Sequence, residues 1–145
     1  MSASLCLRDL SQTTERFFDW HWNKGAIGED PPQWLHWPEF KGSVPNYQLG
    51  GCYALFEGPT LVYVGLGASK GGGLYPEHGI SRRLMSHVLR IDREKGAEWS
   101  KPRTGWEAIN SIYTVGFPSR LVHLAPALET FLIREFAGRL RNARV

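Results

Sequence analysis

The chain has 145 residues, 42% hydrophobic and 21% charged, a balance that suits one compact domain with a core that needs no staples. Its two cysteines, Cys6 and Cys52, exclude a disulfide framework and stand in no Cys-x-x-Cys zinc spacing, which fits a reducing cytoplasm. The net charge of +3 is uneven, with four Lys/Arg against six Asp/Glu in residues 1–47 and thirteen against eight in residues 48–145, so the basic body fits a polyanion partner, most simply nucleic acid.

No apolar run is long enough for a membrane span, and residues 1–8 lack the basic and apolar regions of a secretory signal. Residues 1–47 form a Trp- and Pro-rich arm, expected to pack on the body formed by residues 48–145. Ser11 predicts a helix cap, the helix running to about Lys24 with Gly25 as its stop. A loop with Pro31, Pro32, Pro38 and Pro45 follows. Trp20, Trp22, Trp34 and Trp37 lie across helix and loop, either as packing against the body or as a stacking surface for bases.

Tyr53-Ala-Leu-Phe56 and Leu61-Val-Tyr-Val64 flank Glu57-Gly58-Pro59-Thr60 and predict a β-hairpin. The glycine-rich segment 65–73 reads as a loop. Ile80 to Lys95 carries a helical period, with Ile80, Leu84, Val88 and Ile91 as its apolar stripe and Gly96 as its stop. Residues 111–117 predict a third strand. A last helix starting near Pro126 buries Leu128, Phe131, Leu132 and Phe136. The expected architecture is α+β: a small, three-stranded antiparallel sheet flanked by helices.

Five polar features remain outside this core. Tyr53 and Tyr63 stand one on each hairpin strand, as core residues with satisfied hydroxyls or as site residues. Arg83 and His87 share a helix face, with Arg90 extending the same edge; the face is either solvated or a phosphate clamp. Glu129 is the one charge in residues 124–133 and needs a cation, a hard metal or an arginine. Asn142 is a neutral amide in a basic tail. Lys70 in the glycine loop could approach a phosphate backbone, although the loop lacks the spacing of a nucleotide P-loop.

In this order and spacing the features resemble the GIY-YIG nuclease family. Gly51-Cys52-Tyr53 and Tyr63-Val64-Gly65 resemble the two halves of its signature. Ile80, Arg83, Leu84 and His87 resemble its arginine helix, the segment 127–133 around Glu129 resembles its metal-binding glutamate helix, and Arg141-Asn142 resembles its closing basic-Asn motif. The likeness covers about residues 49–143. Cys52 replaces the usual Ile and is expected on the opposite strand face from Tyr53. Leu66 stands where many members carry a polar residue, and the segment between Gly65 and Ile80 is longer than in minimal members.

The resemblance implies a metal-dependent endonuclease acting on nucleic acid, with DNA preferred. It implies one Mg²⁺ or Mn²⁺ on Glu129, Arg83 on the phosphoryl oxygens, and Tyr53 accepting a proton from the attacking water. Tyr63 and His87 would position water or phosphate, with His87 as an alternative proton acceptor, and Asn142 would hold the Glu129 region or a phosphate. Gly65, Lys70, Arg82, Arg90, Arg139 and Arg141 are the expected nucleic-acid contacts. Targeting would come from the arm, the glycine loop, a homodimer or a partner protein. A non-cleaving nucleic-acid-binding module on the same fold, or a Trp-lined protein-interaction domain, are the other readings.

Overall fold

The computed structural model describes residues 4–70, 73–74 and 78–142. In chain order the elements are α1 (Leu7–His21), α2 (Lys24–Ile27), β1 (Leu35–Trp37), β2 (Gly50–Glu57), β3 (Thr60–Leu66), β4 (Ser69–Lys70) and β5 (Gly73–Leu74). Then come α3 (Gly79–His87), β6 (Leu89–Ile91), β7 (Ser100–Pro102), β8 (Ser111–Phe117), a 3-10 turn (Ser119–Leu121) and α4 (Leu124–Glu135). None of the described helices is long and apolar enough to cross a membrane.

The α+β class and the antiparallel sheet agree with the sequence, but the sheet has four strands in the order β1-β8-β2-β3. The additional strand comes from the arm: β1 pairs with β8, Leu35 opposite Thr114 and Trp37 opposite Ile112. At three residues, with Pro38 just beyond it, β1 is too short to show a period in sequence. Central β2 pairs with β8 on one side and β3 on the other.

Alternation along β2 divides the core into two layers. Cys52, Ala54 and Phe56 face α1 and α4, where they meet Phe17, Phe18, Leu128 and Leu132. Tyr53 and Leu55 face α3 and the arm, where they meet Ile80, Leu84, Trp37 and Phe40. The arm therefore contributes to both layers. Trp22 and Trp37 are buried and Trp34 is half-buried. Their indole N–H groups donate to Glu29 O, Lys41 O and Thr14 Oγ1, respectively. These three indoles serve packing, whereas Trp20 is 69% exposed.

Two helix boundaries differ from expectation. The first helix begins at Leu7, not after Ser11, because Asp9 Oδ2 accepts the Cys6 N–H at 2.9 Å and closes a capping box. It ends at His21, and Gly25 sits inside α2, which Asn23 caps through Ala26 N–H. The middle helix stops at His87 instead of Lys95. Arg103 takes carbonyls at and just beyond its end: its guanidinium donates to Met85 O and Leu89 O, and its N–H donates to Val88 O. The chain then turns into the β6–β7 hairpin, with Ile91 exposed instead of buried.

Candidate active site

A β-bulge determines which way Tyr63 faces. The β2–β3 register runs Leu55 opposite Tyr63 but Phe56 opposite Leu61, leaving Val62 as the additional residue. Leu61 and Val64 accordingly face α1 and α4, while Val62 and Tyr63 both face α3. Strict alternation from Leu61 would have sent Tyr63 to the α1–α4 layer. With the bulge, the rings of Tyr53 and Tyr63 stack with centroids 6.2 Å apart, and the two phenols are electrostatically coupled.

Glycines let the surrounding elements close in. Gly65 lies directly under the Tyr53 ring, in space no side chain could share. Gly67 and Gly79 meet backbone to backbone, seating the start of α3 on the end of β3. From α3, Nδ1 of His87 shares a 3.1 Å hydrogen bond with the Tyr53 hydroxyl. Arg83 stands on the same face one turn earlier, and its charge favours the ionised form of that hydroxyl. Glu129 arrives from α4, half-buried, and its charge is felt by both tyrosines.

The electrostatics follow from burial. Tyr53 is 0% exposed, and burial raises its phenol well above the ordinary range; Tyr63 and Glu129 add to this and Arg83 opposes it. Tyr63, half-buried, is raised for the same first reason. His87 is lowered, by burial and then by Arg83, so it is neutral at pH 7. Burial raises Glu129 above the usual carboxylate range while Arg83 pulls it down. Among the described residues Glu129 has no salt bridge within 4 Å, so a desolvated carboxylate faces the tyrosines without a paired cation. No described group of three His, Cys, Asp or Glu side chains forms a metal cage. The donor set fits one hard cation held by one carboxylate, with phosphate and water oxygens completing its shell.

Tyr53, Tyr63, Arg83, His87 and Glu129 therefore come together, and the other expected site residues have different surroundings. Direct contact between Tyr53 and an attacking water does not fit its full burial; Tyr63 is the partly exposed tyrosine of the pair. Asn142 binds neither the Glu129 region nor open space: its side chain accepts from Val64 N–H at 3.2 Å and donates to Val64 O at 2.7 Å. Arg141 pairs with Glu57, donates to Gly105 O and lies 4.2 Å from the Trp106 ring centre, so it is committed internally. Gly65 serves the Tyr53 ring. Arg90 is on β6, not on the helix face of Arg83 and His87.

Arg82 is exposed on α3, turned about 100° from Arg83. Arg139 is exposed beyond α4, and its charge reaches Asp9 at the start of α1. The Lys70 backbone pairs with Gly73, while its side chain, and Gly71 and Gly72 of the loop, lie outside the described residues. Cys52 points away from Tyr53, as expected, its thiol donating to Ala125 O. One site residue escaped the sequence altogether. Trp106 packs edge-on against both Tyr63 and His87, at 5.1 and 5.3 Å between centroids, and walls the site. Its only sequence signal is a large aromatic residue beside Gly105 in an otherwise polar stretch.

Compared with known proteins, the chain matches no family model, no curated protein and no solved structure.

Proposed function

We propose that this protein is a GIY-YIG-type endonuclease that hydrolyses phosphodiester bonds in nucleic acid, with DNA as the preferred substrate. The supporting observation is the convergence of Tyr53, Tyr63, Arg83, His87 and Glu129 from four elements into one coupled cluster. Arg83 is exposed, fixed in charge and able to neutralise phosphoryl oxygens as negative charge builds on them. Tyr63 meets the attacking water with its hydroxyl. As the water gives its proton to Tyr63, Tyr63 passes its own to Tyr53 and Tyr53 passes its own to Nδ1 of His87. No free phenolate is needed, which suits two phenols that burial holds protonated. Neutral His87 ends the relay as the acceptor.

Glu129 would hold one Mg²⁺ or Mn²⁺, whose chemistry when bound is to polarise the phosphate and stabilise the leaving oxygen. Burial raises its carboxyl, and Arg83 opposes that effect in favour of the charged form a cation requires. Trp106 and Tyr63 shield the relay from bulk water on the side where the two rings meet.

The test is nicking of supercoiled plasmid with Mg²⁺, with Mn²⁺ and with EDTA, using wild type and Glu129→Gln. Metal-dependent nicking lost in the variant supports the proposal. Metal-independent binding with no nicking by either protein would instead make the chain a non-cleaving module on this fold.

A further inference from the structure

We propose that the β6–β7 hairpin grips the phosphate backbone of duplex DNA where it runs off the catalytic cluster. The register sets Arg90 directly opposite Lys101. Like charges in that relation destabilise a strand pair, so the arrangement carries a cost the hairpin does not itself offset. Both residues line a cleft of about 760 Å³ with Arg93, Glu94 and Arg103. Arg103 is committed to the carbonyls of Met85 and Leu89 and shapes the cleft floor. None of the ion pairs among the described residues includes Arg90, Arg93 or Lys101. Three cations thus face a single lining carboxylate, Glu94, in a concave surface suited to an anion.

Its place in the chain ties the cleft to the cluster. His87 closes α3 and Leu89 opens β6, so Arg90 is within about 10 Å of His87 by backbone reach. Phosphates recur about every 3.4 Å of helix axis along one DNA strand, so a strand with one phosphate at Arg83 carries others a few nucleotides away, at the spacing that separates Arg83 from the hairpin in the chain. A two-stranded ribbon is also of a size that a major groove admits. An anionic membrane is the poorer occupant, because Ile91 is the only large hydrophobic residue of the hairpin that is strongly exposed among the described residues.

The proposal takes the identity of the polyanion from the nuclease reading but is tested without cleavage. Binding of a duplex of about 20 base pairs is measured in EDTA from about 50 to 250 mM salt. Three proteins are compared: wild type, Arg90→Gln/Lys101→Gln, and Arg16→Gln/Lys24→Gln. The last removes the same charge from α1 and α2, beside the other core layer. With about 0.9 of salt slope per phosphate contact, the hairpin variant should bind with a slope shallower by about 2, while the α1–α2 variant keeps the wild-type slope. Should the double variant fail to fold, Arg93→Gln in the exposed turn should lose a slope of about 1.

An unchanged slope in the hairpin variant overturns the grip and leaves the nuclease reading standing. An equal loss in both double variants makes the effect one of net charge and also overturns it. Absence of duplex binding by wild type removes both proposals. Tighter binding to phosphatidylserine vesicles than to the duplex, lost in the hairpin variant, would give the surface to a membrane and overturn the DNA grip.

Discussion

The Tyr53 ring occupies the space any side chain at residue 65 would need: a Cβ on Gly65 would lie 2.2 Å from Tyr53 Cζ and 2.5 Å from its hydroxyl oxygen. Gly51-Cys52-Tyr53 and Tyr63-Val64-Gly65, on adjacent strands, are thus parts of one packing arrangement. Gly65→Ala should displace the ring, costing about 1–3 kcal/mol of stability, and should lose nicking even where the fold survives. Thermal melting and plasmid nicking on one preparation check this, and wild-type values for both would contradict it.

For Arg83→Ala, a loss of about 10²–10³ in nicking rate is expected, the scale of removing one preorganised donor to a developing charge. Arg82→Ala should retain nearly full rate at saturating DNA, since that side chain leaves the helix in a different direction. Single-turnover kinetics of the two variants decide the matter. An essential Arg82 with a dispensable Arg83 would move the site to another face of α3.

His87 should control the acid limb of the pH–rate profile. Its pKa lies below the ordinary 6.5, so the neutral acceptor persists into mildly acidic solution and activity falls only as pH drops through the depressed value. Stability has the same sign: the unfolded chain binds the extra proton first, so the contribution is present above about 6.5 and lost as pH falls through the folded-state pKa. His87→Gln should remove that limb and lower the rate by about 10²–10⁴. A profile unchanged by the substitution would remove His87 from the relay.

Glu129 has the opposite sign. Its carboxyl is raised, so the folded state favours the protonated form, and that contribution is lost as pH rises through the shifted value. Wherever it is ionised, the group is a burden on the fold. Glu129→Gln should therefore bring nicking close to background while leaving the melting temperature at pH 7 equal to wild type or higher. A clear drop in melting temperature would mean that the carboxylate is held by a structural cation instead.

Asn142→Ala should act through the fold. It leaves Val64 N–H and Val64 O without their side-chain partner, at about 1–3 kcal/mol each if they stay buried. Nicking by the folded fraction should remain within a few-fold of wild type. A large loss of rate with unchanged melting would place the amide at the substrate.

Tyr53, Arg83 and Glu129 stood out in sequence through the order and spacing of the resemblance; by period alone Tyr53 reads equally as core, Arg83 as a solvated face, and only Glu129 interrupts an apolar run. The orientation of Tyr63 was not, since the bulge at Val62 reverses the parity that alternation predicts, and a bulge of valine leaves no mark in composition. The end of the middle helix was hidden for another reason. Ile91 continues the stripe of Ile80, Leu84 and Val88, and what stops the helix is Arg103, whose carbonyl partners lie up to eighteen residues earlier. The roles of Arg141 and Asn142 were equally out of reach, because their partners are mainly backbone groups, which are the same in every sequence.

Both margins of the sheet are closed to further strands. On the outer side of β3, Leu61 N–H goes to Leu5 O, Val62 O receives the Arg141 N–H, and Asn142 takes both polar groups of Val64. On the opposite margin β1 is three residues long and ends against Pro38. An incoming extended segment finds no continuous ladder to template on at either border, which disfavours edge-to-edge self-association and strand exchange. Any macromolecule this protein engages is left with helix faces, loops and the small hairpin as points of approach.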